Sequence, residues 1–164
     1  MSVPAHKAEF IEFMLRSNAL KFGEFQTKSG RLSPFFINTG AYDNGLALHT
    51  LGRAYARAIH ENFTGQFDFL FGPAYKGIPL AAVAGAALAA EHNASPGVAF
   101  NRKEAKSHGE KGTIIGYRPQ DGDRCLIIED VTTAGTSVRE THELLTSIAA
   151  VKQGMTGMTS DELP

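Results

Sequence analysis

Leu126-Ile-Ile-Glu-Asp-Val-Thr-Thr-Ala-Gly-Thr-Ser-Val-Arg-Glu140 is the stretch on which the fold turns. With Arg124 and Cys125 before it, the run to Ile128 reads as a short strand with no polar alternation, the pattern of a strand covered on both faces. Thr132, Thr133, Gly135, Thr136 and Ser137 read as a loop, and Val138 to about Ala150 as a helix. The acidic pair Glu129-Asp130 therefore falls at the carboxyl end of a strand, where open parallel sheets bind ligands. Backbone N–H groups and hydroxyls leading into a helix can converge on a phosphate. Two carboxylates beside such a cradle suit the hydroxyls of a sugar, so a ribose 5-phosphate meets both halves. An ordinary capped helix would account for one hydroxyl, not for the cluster beside two acids.

The same strand, loop and helix pattern occurs just upstream. Phe67-Asp-Phe-Leu-Phe71 reads as a buried strand, Gly72-Pro-Ala-Tyr-Lys-Gly77 as a loop, and Ile78 to Glu91 as a helix with Pro79 in its first turn, where proline is tolerated. Val98-Ala-Phe100 begins another strand, and Thr113-Ile-Ile-Gly116 follows a polar interruption. This alternation predicts an α/β fold, a mainly parallel sheet flanked by helices. Towards the N-terminus, Phe10, Phe13, Met14 and Leu20 predict an amphipathic helix from about Ala5. Two extended runs around Lys28-Ser-Gly-Arg31 predict a hairpin, and Leu48, Leu51, Tyr55, Ala58 and Ile59 share one face of a helix over Leu46 to Asn62. Residues 151–164 show no strand pattern and are expected to be an irregular tail. A length of 164 residues suits a single domain over 1–164.

Bulk properties exclude several classes. A net charge of −1 argues against nucleic acid, whose binding needs many cations against phosphates. The longest apolar stretch, Ile78 to Ala90, falls short of the roughly 20 residues that cross a bilayer. The start, MSVPAHKAEF, lacks a basic segment followed by an apolar run, which predicts a cytoplasmic protein. Cys125, inside an apolar run, reads as a small core residue. The six histidines show no paired metal-ligand spacing, and no Gly-x-Ser-x-Gly or Gly-x-Gly-x-x-Gly motif occurs. Gly72 and Gly77 have P-loop spacing but lead into Ile-Pro instead of Lys-Ser or Lys-Thr, which disfavours kinase chemistry.

Two further segments carry charge or aromatic surface. Phe100-Asn-Arg-Lys-Glu-Ala-Lys-Ser-His-Gly-Glu-Lys-Gly112 holds Arg102, Lys103, Lys106, His108 and Lys111 between glycines. Such a run reads as a solvated loop, and one that can close would bring cations to a developing negative charge. In Lys28-Ser-Gly-Arg-Leu-Ser-Pro-Phe-Phe36, adjacent aromatics point to opposite faces of a strand. At most one of Phe35 and Phe36 is then core, and the other can cover a planar ligand.

The acidic pair and hydroxyl loop resemble, at nearly every position, the signature by which type I phosphoribosyltransferases bind phosphoribosyl pyrophosphate (PRPP). Gly72 to Pro79 resembles the pyrophosphate loop of orotate phosphoribosyltransferases, which is often held in a strained peptide conformation, here expected at Ala74-Tyr75. Phe100 to Gly112 resembles their catalytic loop, and Lys28 to Phe36 the hood segment that the purine enzymes lack. The resemblance runs from about Phe10 to Leu145. Nothing in Val151 to Pro164 matches the family's later Asp-Arg-Gln-Glu-Arg segment, so the chain resembles a member shortened at its C-terminus.

That resemblance implies the type I phosphoribosyltransferase fold with an N-terminal hood over about 1–40. It also implies a pentosyltransferase that moves the phosphoribosyl group of PRPP to orotate, giving orotidine 5′-monophosphate and pyrophosphate for UMP biosynthesis. Glu129 and Asp130 would hold the ribose and help to stabilise its positive charge. Thr132, Thr133, Ala134, Gly135, Thr136 and Ser137 would bind the 5-phosphate. Lys28, Tyr75, Lys76, Arg102 and Lys103 would meet pyrophosphate or phosphate, Phe35 and Phe36 would enclose orotate, and Lys106, His108 and Glu110 would act from the catalytic loop. Mg²⁺ would arrive on the PRPP pyrophosphate, with no protein ligand assigned to it. The loop would be shared across a homodimer. The alternative from another class is a non-catalytic, regulatory PRPP-binding module with the same fold.

Overall fold

The computed structural model describes residues 4–26, 30, 32–102, 113–131, 135–149 and 152–158. The chain divides into two compact units, Met1–Leu48 and His49–Leu163. In the first, helix α1 (Ala5–Arg16) buries Phe10 and Met14, two of the residues placed on its apolar face by helical spacing. Leu20 begins strand β1 (Leu20–Gln26) instead of extending that face. β1 pairs antiparallel with β2 (Leu32–Ile37), and the register sets Phe22 opposite Phe35 and Lys21 opposite Phe36. Tyr42, after a 3-10 turn at Thr39–Ala41, stacks on Phe13 with ring centroids 5.2 Å apart. Burial there pushes its phenol up to about 12.

The second unit carries most of α2 (Gly45–Phe63) and a five-stranded sheet. Its remaining elements are β3 (Phe69–Gly72), α3 (Gly77–His92), β4 (Gly97–Asn101), β5 (Ile114–Gly116), β6 (Arg124–Ile128), α4 (Thr136–Thr146) and β7 (Lys152–Met158). The spatial order is β5-β4-β3-β6-β7, parallel throughout except for β5, which runs antiparallel on β4. A mainly parallel α/β sheet is therefore what the alternation predicted. α4 stops at Thr146, short of the expected Ala150.

Alternation along the central strands sorts the core into two layers. Phe69, Phe71, Cys125 and Ile127 pack with Ala99, Leu145 and Ala149 on the α4 side. On the other side, a Cβ added at Gly85 of α3 would lie 2.8 Å from Val98 and 3.7 Å from Leu70, so that glycine lets the helix seat closely on the sheet. α2 in turn crosses α3 at Gly52, where an added Cβ would meet the Val83 carbonyl oxygen at 2.7 Å. At the start of the strands Arg124 clasps Asp68 through two side-chain hydrogen bonds of 3.0 and 2.9 Å and also donates to the Gly65 carbonyl.

The expected irregular tail is corrected over Lys152–Met158, which forms β7 parallel to β6 with an irregular register between Arg124 and Leu126. Gly154 and Gly157 and the absence of a β-branched run hide this strand from propensity. Pairing with the backbone groups along β6 outweighs that weak local preference.

The crevice lies between β3 and β6. From β3 the chain crosses through α3 to β4 on one side, and from β6 through α4 to β7 on the other. The two loops leave adjacent strand ends in opposite directions, which is the switch point where doubly wound sheets open a binding cleft.

Candidate active site

β3 ends in Gly72 and β6 in Ile128, so the Gly72–Gly77 loop and the Glu129-Asp130 pair emerge side by side. Gly72 and Gly77 permit the approach. A Cβ on Gly77 would sit 2.7 Å from Pro73 and 2.9 Å from the Ile128 carbonyl oxygen, so only glycine lets this loop lie against the end of β6. The Ala74-Tyr75 peptide is cis, at the position where an unusual peptide was expected.

The two segments are joined by charge. Lys76 Nζ donates to Asp130 Oδ2 at 2.9 Å, with 61% of the lysine side chain exposed and 12% of the aspartate's. The other oxygen of Asp130 accepts the Val131 N–H at 2.8 Å. Glu129 is buried beside it and accepts from Ser137 Oγ and, at 3.2 Å, from the Asp130 N–H. Burial pushes the Glu129 carboxyl above the ordinary carboxylate range. The Ser137 and Asp130 hydrogen bonds pull it down without cancelling that effect, and the nearby Asp130 charge adds to the rise.

α4 begins beyond the hydroxyl loop. Gly135, with φ of 67°, caps it, which explains a glycine there. Ser137 and Thr136 already have protein partners: the serine donates to Glu129 and the threonine accepts from Arg139 at 3.3 Å. A cleft of about 250 Å³ lies alongside, lined by Pro73, Ala74, Asn101, Ser137, Glu140 and Thr141 among others. Tyr75 and Lys76 are exposed, and the half-buried Arg102 donates its backbone N–H to Thr113 at 2.8 Å.

In fold and site geometry the chain is an α/β protein with a cation-bearing loop and a carboxylate pair at one switch point. The phosphoribosyl transferase domain family matches it over residues 38–152. The chain belongs to the phosphoribosyltransferase family. It is 55% identical over 146 residues to the orotate phosphoribosyltransferase of Clostridium acetobutylicum, covering 89% of this chain and 65% of that one. It is 50% identical to that of Yersinia enterocolitica, over 92% of this chain and 70% of the relative. The crystal structure of the Francisella tularensis orotate phosphoribosyltransferase superposes with a TM-score of 0.77 at 42% identity, covering 91% of this chain and 69% of that one. The chain thus spans about two thirds of the length of the curated relatives it matches.

Of the phosphoribosyltransferase residues singled out from sequence, the structure brings together Tyr75, Lys76, Glu129, Asp130, Gly135, Thr136 and Ser137, with Arg102 at the end of the adjacent strand. Phe35 and Phe36 lie in the other unit. Neither is core, at 44% and 48% exposed. Phe36 packs its ring 5.5 Å from that of Phe25. Lys28, Lys103, Lys106, His108, Glu110, Thr132, Thr133 and Ala134 lie outside the described residues.

Two site residues escaped the sequence reading. Tyr55 of α2, fully buried, donates its hydroxyl to the Glu129 carbonyl at 2.9 Å, and Asn101 accepts the Ala74 N–H at 2.8 Å. Tyr55 looked like one more apolar residue on a helix face, and Asn101 like the first residue of a solvated, charged loop. Their hydroxyl and amide matter only once the sheet sets β4 and α2 beside the loops.

Proposed function

We propose that this chain catalyses transfer of the 5-phosphoribosyl group from PRPP to orotate, giving orotidine 5′-monophosphate and pyrophosphate in UMP biosynthesis. The observation that carries the reading is the meeting of the Gly72–Gly77 loop and the Glu129-Asp130 pair at one crevice, tied by Lys76 and Asp130 at 2.9 Å. A ribosyl pyrophosphate suits both ends of that pair: its departing pyrophosphate calls for a cation and its ribose hydroxyls for a carboxylate. The orotate phosphoribosyltransferases of similar sequence support the choice of base.

In the reaction the bond from the anomeric carbon to pyrophosphate breaks, a ring nitrogen of orotate gives up its proton and bonds to that carbon, the proton goes to the departing pyrophosphate, and the transition state carries oxocarbenium character. Lys76, with Arg102, Lys103 and Lys28, meets the negative charge gathering on the leaving group. Glu129 and Asp130 fix the ribose by accepting from its hydroxyls and help to stabilise its positive charge. The loop at 132–137 takes the 5-phosphate, Ser137 exchanging its bond to Glu129 for one to the ligand. Lys106, His108 and Glu110 act from the catalytic loop and Phe35 and Phe36 flank orotate, in a cytoplasmic homodimer that shares the loop.

The donor set fits Mg²⁺ carried in on the pyrophosphate. Among the described residues no group of three His, Cys, Asp or Glu stands ready to cage a metal, whereas Mg²⁺ commonly binds through substrate phosphates and one or two carboxylates. The ion supplies charge neutralisation on the phosphates.

Loss of orotate absorbance on mixing the protein with orotate, PRPP and Mg²⁺, beside a Lys106→Ala control, tests the proposal. PRPP-dependent consumption that collapses in the control is the expected result. No consumption, with PRPP still raising Tm, would leave a PRPP-binding module and overturn the transferase.

A further inference from the structure

We infer that Asn101 is a positioning residue for the pyrophosphate end of the site, holding the Gly72–Gly77 loop in its binding shape through the Ala74 N–H. The inference rests on the phosphoribosyl-transfer reading above.

Register explains how the side chain reaches the loop. β3 and β4 run parallel with Gly72 level with Phe100, so Asn101 stands one residue beyond the end of β3, beside the first residues of the loop. Its Oδ1 accepts the Ala74 N–H at 2.8 Å. A backbone N–H can only donate, so the amide oxygen, not its nitrogen, faces the loop. Within the loop, Gly77 donates to Pro73 at 3.0 Å and Ile78 to Tyr75 at 3.3 Å. Asn101 supplies a tie from a neighbouring strand, directly before the peptide that presents Tyr75 and Lys76.

Chemistry explains the residue type. Aspartate could accept the same N–H, but would add a second carboxylate, beside Glu140, to the wall of a cleft that must admit pyrophosphate. Asparagine accepts without charge. Asn101 lines that cleft with Ala74 and Ser137 and is followed by Arg102 at the stem of the 100–112 segment, so one side chain joins the two cation-bearing stretches.

Amide hydrogen exchange in the full chain, together with calorimetric titration of magnesium pyrophosphate, tests this. In Asn101→Ala, exchange at Ala74 and its loop neighbours should quicken at least tenfold while β3 and β6 keep their protection. Pyrophosphate affinity should fall about tenfold. Asn101→Asp should restore protection at Ala74 but not the affinity. If Asn101→Ala fails to fold, Asn101→Ser, whose hydroxyl is too short to reach, should show the same loosening.

Unchanged exchange at Ala74, or quickened exchange with undiminished pyrophosphate binding, would overturn the role. Wild-type protein that binds no pyrophosphate while the loop still loosens in Asn101→Ala would overturn the transferase reading and the pyrophosphate role with it, leaving a tie of structure alone.

Discussion

Lys76 Nζ stands 2.9 Å from Asp130 Oδ2, linking the loop after β3 to the loop after β6 across the crevice between them. The pair is unequal in exposure, an open lysine on a largely buried aspartate. Solvent around Lys76 weakens the attraction, so the ion pair adds about 1 kcal/mol or less to stability. Catalysis should feel its loss far more. Lys76→Ala is expected to lower kcat/KM about 100-fold or more while chemical denaturation shifts by about 1 kcal/mol, and a double-mutant cycle with Asp130→Asn measures the coupling. A stability loss of several kcal/mol with activity nearly intact would make the pair a structural strut.

Glu129 gives a pH signature of known sign. Its carboxyl titrates above the ordinary range in the folded chain because of burial, so between the unfolded and folded values the native state holds the extra proton. Stability from this group is full below the unfolded carboxylate value, near 4.3, and is lost as pH rises through the folded value. Denaturant titrations should show wild-type stability falling, relative to Glu129→Gln, as pH climbs above about 4.5. A difference that is flat with pH, or that grows in favour of wild type, would contradict burial as the dominant cause.

These three side chains also mark how far a sequence can be read. Glu129 and Asp130 follow an apolar run too short and too uniform to be anything but a buried strand, so their place at its carboxyl end is legible at once. Lys76 is legible as a loop residue, but its pairing with a residue 54 positions away depends on β3 and β6 being neighbours, which alternation does not specify. β7 went unread for the opposite reason: Lys152–Met158 owes its conformation to the backbone edge of β6, and local residue preferences argue against it. Ser137 was legible as a helix-start hydroxyl available for phosphate, yet in the structure it is spent on Glu129, because the carboxylate's burial demands a donor.

Cys125 should be chemically silent in the folded protein. It lies in the core between sheet and α4, fully buried, and burial pushes its thiol well above the usual range, so almost no thiolate is available for attack. A thiol-reactive dye should label it within seconds in denaturant, but in native buffer only at the rate of opening of the unit. Fast native labelling would mean that the β6 layer is far looser than its packing.

Glycine at position 72 should be the least replaceable residue of the crevice. An added Cβ would fall 2.2 Å from the Gly77 carbonyl oxygen, 2.6 Å from its carbon and 2.9 Å from the Ala81 Cβ, and none of these is a flexible side-chain end that can swing aside. The loop must move away from β6 or α3 must retreat from the sheet. Gly72→Ala is therefore expected to cost about 2–3 kcal/mol through overpacking, a fall in Tm of roughly 5–10 °C for a chain of this size. Gly45→Ala is the fitting control, because nothing lies within 4 Å of a Cβ there and its position at the start of α2 favours alanine. That variant should be neutral or slightly stabilising. If Gly72→Ala melts like wild type, the loop has slack, and a pyrophosphate site built on its close approach to Ile128 loses its footing.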